Sequence, residues 1–209
     1  MTKKAVTILL IMAGMSVSGC SSFISETAPI SPIKFYRYRG TDLKHIGRVI
    51  FLHMDNETLN PKLASDLTVT IAEELQKKNV FGLETLGPSS AHWQRLDLGG
   101  QKEYSKEQLT DLKFKLNADA VMYGQVLGSS PYPQKSIAVN LKLVDCTTGQ
   151  LLWQIRQVFD STDAEIEARI KAFYKTQRSG YVPMDWKMVT VSPRMYNKFV
   201  AHEIAKTIY

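Results

Sequence analysis

The stretch Gly47 to Leu86, GRVIFLHMDNETLNPKLASDLTVTIAEELQKKNVFGLETL, decides the architecture. Gly47 to Met54 is a continuous apolar run of β-formers ended by Asp55-Asn56, which suits a central strand covered on both faces. Asn60-Pro61 then reads as an N-cap followed by proline at the first helical position, and Leu63, Leu67, Ile71 and Leu75 recur every four residues down one face. Lys77, Lys78 and Asn79 close that helix with charge suited to its C-terminal dipole. Val80 to Leu86 follows as a second apolar stretch. Two strands joined by a helix of this length predict a right-handed βαβ unit.

Downstream, Gly87-Pro88-Ser89-Ser90 breaks the chain, and Ala91 to Tyr104 reads as a loop. Its Gly99-Gly100 pair has neither a following GKS or GKT nor a GxGxxG, so it is no phosphate loop. Ser105 with Gln108 forms a capping box for a short helix on Leu109, Leu112 and Leu116, and Ala120 to Leu127 is the third strand. Beyond it the pattern changes from helix-separated strands to hairpins. Ile137, Val139, Leu141 and Leu143 alternate with Asn140 and Lys142, and after a turn at Thr147-Thr148-Gly149 the residues Leu151, Trp153, Ile155 and Phe159 alternate with Gln154 and Arg156. Ser161-Thr162 starts a helix with Ile166, Ile170 and Phe173 inward, Thr176 to Ser192 is irregular, and a last helix from about Pro193 presents Tyr196, Phe199, Val200, Ile204 and Ile208. The expected fold is a single mixed α/β (α+β) sheet, built as β-α-β-α-β followed by a β-meander and C-terminal helices.

Upstream, Lys3-Lys4 precedes an apolar run from Ala5 to Val17 that is too short for a membrane span of about 20 residues, as an export signal requires. Val17-Ser18-Gly19-Cys20 resembles the lipobox of bacterial lipoproteins. That resemblance implies cleavage between Gly19 and Cys20, lipidation of Cys20, and, with Ser21 rather than aspartate following, sorting to the outer membrane. Several acyl chains on one residue anchor stably, since each buried methylene contributes about 0.8 kcal/mol. The expected organisation is a signal peptide over 1–19, a lipid anchor and Ser/Thr/Pro-containing tether over 20–45, and one periplasmic domain over 46–209. Within the tether's end, Lys34 to Gly40 (KFYRYRG) reads as an edge segment that packs its aromatics and solvates its arginines.

The full chain of 209 residues carries a formal net charge of +6, and removing Lys3 and Lys4 with the signal leaves +4. The remaining positive charges are interspersed with acidic ones, which excludes a nucleic-acid tail. With Cys20 lipidated, Cys146 is the one thiol left, so no intrachain disulfide is possible. It continues an apolar strand and reads as a small buried hydrophobe. The four histidines have no metal-ligand spacing with it, and neither a metal nor a cofactor is expected. Cys146 with His53 or His92 is the only formal nucleophile-base pair, and there is no GxSxG, HExxH or SxxK. Dipole complementarity at a helix start accounts for Asp163, Glu165 and Glu167. No pair of carboxylates stands out for glycan hydrolysis.

Asn117-Ala118-Asp119-Ala120 leading into Tyr123-Gly124, with Leu141-Lys142-Leu143-Val144-Asp145 and Thr148-Gly149-Gln150-Leu151-Leu152-Trp153, resembles the CsgG-like and TolB-N-terminal-like periplasmic domains. Each piece also has a mechanical reading. Asp145 and Thr148-Gly149 shape a tight turn, Trp153 fills the core beneath it, and Gly124 relieves a crowded strand position. The turn at Gly128 to Gln134 is too short to supply a membrane hairpin, so no pore is expected. The function expected is non-enzymatic: a lipid-anchored envelope protein that binds or helps assemble another envelope component, with Tyr181 and Trp186 as candidate partner contacts. The alternative is a homo-oligomeric subunit of a trans-envelope or secretion-type ring, and a thiol-dependent or glycan-acting enzyme ranks last.

Overall fold

In the computed structural model, which describes residues 31–131, 134–177 and 185–209, the elements run β1 (Tyr36–Arg37), β2 (Arg48–Leu52), β3 (Asp55–Asn56), α1 (Leu63–Lys78), β4 (Gly82–Leu86), α2 (Ala91–Arg95), α3 (Lys106–Leu116), β5 (Ala120–Ser130), β6 (Ser136–Asp145), β7 (Leu151–Asp160), α4 (Ala164–Gln177), α5 (Lys187–Val191) and α6 (Pro193–Ala205). One mixed sheet of seven strands has the order β1-β7-β6-β5-β2-β4, with β3 pairing β5. β2 lies parallel to both β4 and β5, as the βαβ reading requires, while β5, β6 and β7 form the antiparallel meander.

The apolar run of β2 is explained by burial on two sides. Val49 and Phe51 enter the main core beneath α1 and α6, whereas Ile50 and Leu52 enter a smaller core beneath α3. The anticipated stripe of α1 is buried throughout, from Leu63 through Leu67 and Ile71 to Leu75. The regular helix begins at Leu63, and the turn that leads into it, closed by Leu63 N donating to the Asn60 carbonyl, is capped by Asn60. Its carbonyl accepts from Asn56 Nδ2 at 2.6 Å and its Oδ1 accepts from Lys62 N at 3.2 Å. Asn79 and Asn117 end α1 and α3 in the left-handed region, at φ 50° and 52°, where asparagine is tolerated. The Ser105–Gln108 capping box is formed in both directions.

Three local readings need adjustment. Ala91 to Arg95, expected as loop, is the short helix α2, capped by Ser90 Oγ accepting from His92 N. The start of α4 is held by Asp163, whose Oδ1 accepts from Glu165 N and Ile166 N, since Thr162 is already bonded to Asp160. The stretch from Thr176 to Ser192 contains the end of α4 and all of α5. Ile166, Ile170 and Phe173 point inward as anticipated, as do Tyr196, Phe199, Val200, Ile204 and Ile208.

The packed chain begins ahead of residue 46. Ile33 and Leu43 are buried, β1 pairs antiparallel with β7, and Phe35 meets Tyr209 edge-on with ring centroids 6.2 Å apart. Arg37 lies over the Tyr209 ring at 4.7 Å. Arg169 of α4 donates to the Ser31 carbonyl, so the incoming chain is clasped beside the C-terminus. The same arginine pairs with Glu165 at 3.0 Å and with Glu203 of α6 at 2.9 Å. Glu203 is 0% exposed and Arg169 8%, so this ion pair is out of water and holds two helices in register.

Candidate functional site

The motif residues that carried the resemblance are occupied in holding the sheet. Asp119 Oδ2 accepts from Arg48 N at 2.8 Å, Asp119 N donates to Arg48 O, and Asp119 O accepts from Cys146 N, which ties β2 to the end of the β5–β6 ladder where Ala120 faces Asp145. Asp145 Oδ1 accepts from Thr147 N, Thr148 N and Thr148 Oγ1, closing the turn that Gly149 completes at φ +73°. Trp153 is fully buried and donates through Nε1 to Thr207 Oγ1 at 3.1 Å, binding the meander to the C-terminal end. A Cβ on Gly124 would lie 2.0 Å from the Asn140 carbonyl oxygen, so this strand position accepts only glycine.

Cys146 is buried among Leu109, Leu112 and Val144. Burial, with Asp145 and Asp119 nearby, pushes its thiol up to about 12. It is therefore protonated at neutral pH and lacks the thiolate that nucleophilic chemistry needs. His53 meets Trp93 edge-on, with centroids 6.4 Å apart. Among the described residues no cluster of His, Cys, Asp and Glu is arranged to hold a metal ion, and no helix is long and apolar enough to cross a membrane.

Trp186 packs partly buried against the main core, with Lys171 Nζ 4.7 Å over its ring. Tyr181, Gly19 and Cys20 lie outside the described residues. Sequence reasoning did not single out two surfaces that the described residues form. The first is the outer face of the meander. α2 and α3 cover β4, β2 and the start of β5, but the outward residues Gln125, Asn140, Lys142, Gln154 and Arg156 are half-buried or exposed. The β-sheet registers place Gln125 opposite Asn140, Asn140 opposite Arg156, and Lys142 opposite Gln154. Gln154 Nε2 donates to Asn140 Oδ1 at 3.1 Å, and Lys142 pairs with Glu103 at 3.3 Å. Tyr36 on β1 extends this polar face beside Gln154, and Val158 adds an exposed apolar point. The alternation of polar residues was legible in β6 and β7, but whether a helix covers them depends on the path of distant elements.

The second surface is a cavity of about 490 Å³ at the opposite end of β6 from the Asp145 turn. It lies between the loop after β3, the far end of the β5–β6 hairpin and the start of α6, and it is lined mainly by apolar atoms. Lys135 and Asn197 line it and are only 8% and 6% exposed. Burial lowers the pKa of the Lys135 ammonium.

The described residues thus form a mixed α/β sheet with one apolar face closed by helices and a polar meander face that helices leave open. Residues 34–159, more than half of the chain, match the family model described as peptidoglycan-synthase activator LpoB, and the chain belongs to that family. It is accordingly an accessory protein of the bacterial cell envelope, as the expectation of a protein serving another envelope component had it. The assignment is to LpoB rather than to the CsgG-like group that the hairpin motif resembled. No curated protein matches the chain in sequence.

Solved structures similar to it include the hypothetical protein CT253 from Chlamydia trachomatis, at 16% identity and a TM-score of 0.47, covering 78% of this chain and 95% of that one. The PelC dodecamer from Paraburkholderia phytofirmans is similar at 13% identity and a TM-score of 0.44, covering 65% and 86%. The LpoB C-terminal domain from Salmonella enterica is similar at 19% identity and a TM-score of 0.40, covering 54% and 82%.

Proposed function

We propose that the chain is a non-enzymatic, lipid-anchored activator that docks a peptidoglycan synthase on the outer face of its meander. The observation that carries this reading is the family match over 34–159, a span that contains β1 to β6 and nearly all of β7 but none of α4, α5 or α6. The face is polar, with Arg156 exposed and in no ion pair among the described residues, which fits an interface that is dissolved and re-formed. Tyr181 and Trp186 are proposed as further partner contacts.

On this reading residues 1–19 are removed as a signal, Cys20 carries the lipid, and Ser21 directs the protein to the periplasmic face of the outer membrane. Cys20→Ser should release a soluble, folded protein from the membrane fraction. The decisive experiment is reconstitution of a purified synthase with the full chain in detergent. Arg156→Glu should reduce stimulation of glycan polymerisation by about tenfold, the effect of reversing one interfacial charge. Cys146→Ser should stimulate as the native chain does. Undiminished stimulation by Arg156→Glu would move the docking surface elsewhere, and loss of stimulation in a folded Cys146→Ser variant would reopen thiol chemistry.

A further inference from the structure

The cavity at the far end of the β5–β6 hairpin has a composition that the docking face does not explain. Its walls are apolar, formed by Leu63, Pro131, Ile137 and Pro193 among others. Two buried polar side chains interrupt them. The Lys135 ammonium donates to the Val191 carbonyl at 2.6 Å, and no carboxylate among the described residues lies within ion-pairing distance of it. A buried cation with only a neutral partner is left under-compensated, and an arriving anion would relieve that.

Asn197 is the second. Its amide makes no hydrogen bond among the described residues, yet its atoms are not sealed, since the one fully enclosed side-chain polar atom without a partner among those residues is Arg169 Nε. An open, unpaired amide in an apolar cavity is a donor and acceptor held ready for a ligand. The rim supplies the remaining observation. Leu59 is fully exposed beside Glu57 at the mouth, and a large apolar side chain standing in solvent at a cavity edge is the kind of contact that a macromolecular partner covers.

We propose that this cavity receives a segment of a partner polypeptide in which a carboxylate side chain is flanked by large apolar residues. The carboxylate sits between the Lys135 ammonium and the Asn197 amide, the apolar neighbours fill the walls, and the flanking chain covers Leu59. A free small molecule of cavity size would satisfy the interior but leave Leu59 in water. Glu57 at the rim disfavours a second acidic residue at the mouth and so sets the segment's polarity: charge inside, none at the edge. The site is separate from the meander face, so it stands or falls independently of synthase docking there.

The probes are N-acetyl-Leu-Asp-Phe-amide and the same peptide with Asn for Asp, titrated into the full chain in detergent and followed by the backbone amide signals of Leu63, Ile137 and Asn197. The Asp peptide should saturate with a Kd of about 1 mM or below. It should bind about tenfold more tightly than the Asn peptide, the gain of a charge-assisted hydrogen bond. Lys135→Met should erase that difference. Leu59→Ser, at a fully exposed position where folding is not at stake, should weaken both peptides about threefold while keeping their ratio. Equal affinity of the two peptides for the native chain, a difference that survives Lys135→Met, unchanged affinity in Leu59→Ser, or no saturable binding would each overturn the proposal. None of these results bears on stimulation through Arg156, which is read in a different assay.

Discussion

On one face of the sheet Phe51, Met122, Leu141 and Trp153 are shut beneath the helices, while on the other face the same meander turns Gln125, Asn140, Lys142, Gln154 and Arg156 toward solvent. The covered side contains a cluster of aromatic rings, with Phe159, Phe173 and Tyr196 each within 6.0 Å of Phe199 between ring centroids. Each such ring, fully buried, contributes about 1.5–3 kcal/mol from its area alone. The uncovered side contributes little of this kind. Stability is thus concentrated on one surface of a shared backbone, and the other surface is left free to vary with a partner. Substitutions should divide accordingly.

The largest effect is expected at Gly124, where the obstruction is backbone rather than a movable side chain. Gly124→Val should cost about 4 kcal/mol or more, because β5 and β6 must part to admit it. Denaturant unfolding that showed a small loss would mean that the ladder can shift there, and the distinction between a rigid and a free face would weaken. Next comes the buried pair between α4 and α6. Arg169→Met leaves the buried Glu203 carboxylate with Lys206 as its one remaining ion-pair partner among the described residues and should cost about 2 kcal/mol, whereas Arg169→Met combined with Glu203→Leu should recover most of that loss. A double variant no better than the single one would locate the cost in the clasp on Ser31 instead.

A smaller and pH-dependent effect belongs to His202. Burial depresses its pKa below the ordinary 6.5, Lys206 adds to this, and Glu203 and Glu74, the latter 3.7 Å from Nδ1, oppose it. The ring also tilts against Phe173 at 5.1 Å. As the pH falls, the unfolded chain takes up the proton first. The contribution of neutral His202 is therefore complete above about pH 6.5 and is lost as the pH falls through the depressed folded value. His202→Gln should flatten the fall in Tm across that window by a few degrees at most. At the bottom of the scale, Arg156→Glu should leave Tm within the change expected of a surface position, about 0.5 kcal/mol, while altering recognition.

The division between the two faces also explains what could be read in advance. The five long strands, the stripe of α1, the Ser105–Gln108 box, the Asp145 turn and the need for Gly124 were legible because periodicity and turn chemistry act over a few residues, whereas the two-residue β3 was read as the end of β2. α2 was missed because His92, Trp93 and Gln94 have no apolar repeat, and it is held instead by the Ser90 cap. Asn60 caps the turn before α1 as its sequence position indicated, while the regular helix starts only at Leu63, since the Asn60 carbonyl is shared between Asn56 Nδ2 and Leu63 N. Arg169 and Glu203 meet across 34 positions, and no spacing rule links them. The uncovered face and the cavity depend on where α2, α3 and α6 come to rest, which is a long-range outcome. Cys146 was legible as buried because it continues an apolar strand, but its phase is that of Asn140 and Lys142, and it is the smaller core under α3 that covers it.

The clasp of Arg169 on Ser31 has a mechanical consequence. If Cys20 is the anchored residue, as proposed, covalent geometry alone limits the leash from it to residue 31 to about 40 Å. Ile33 and Phe35 are already committed to the body, so the leash cannot lengthen without unpicking Ile33, the Tyr209 contacts and β1 from β7. Any pull from the membrane arrives first at Arg169, on the side opposite the uncovered face. On that proposed anchoring the body stays within a shallow layer beneath the bilayer, and the proposed partner, if rooted elsewhere, must itself cross most of the intervening distance.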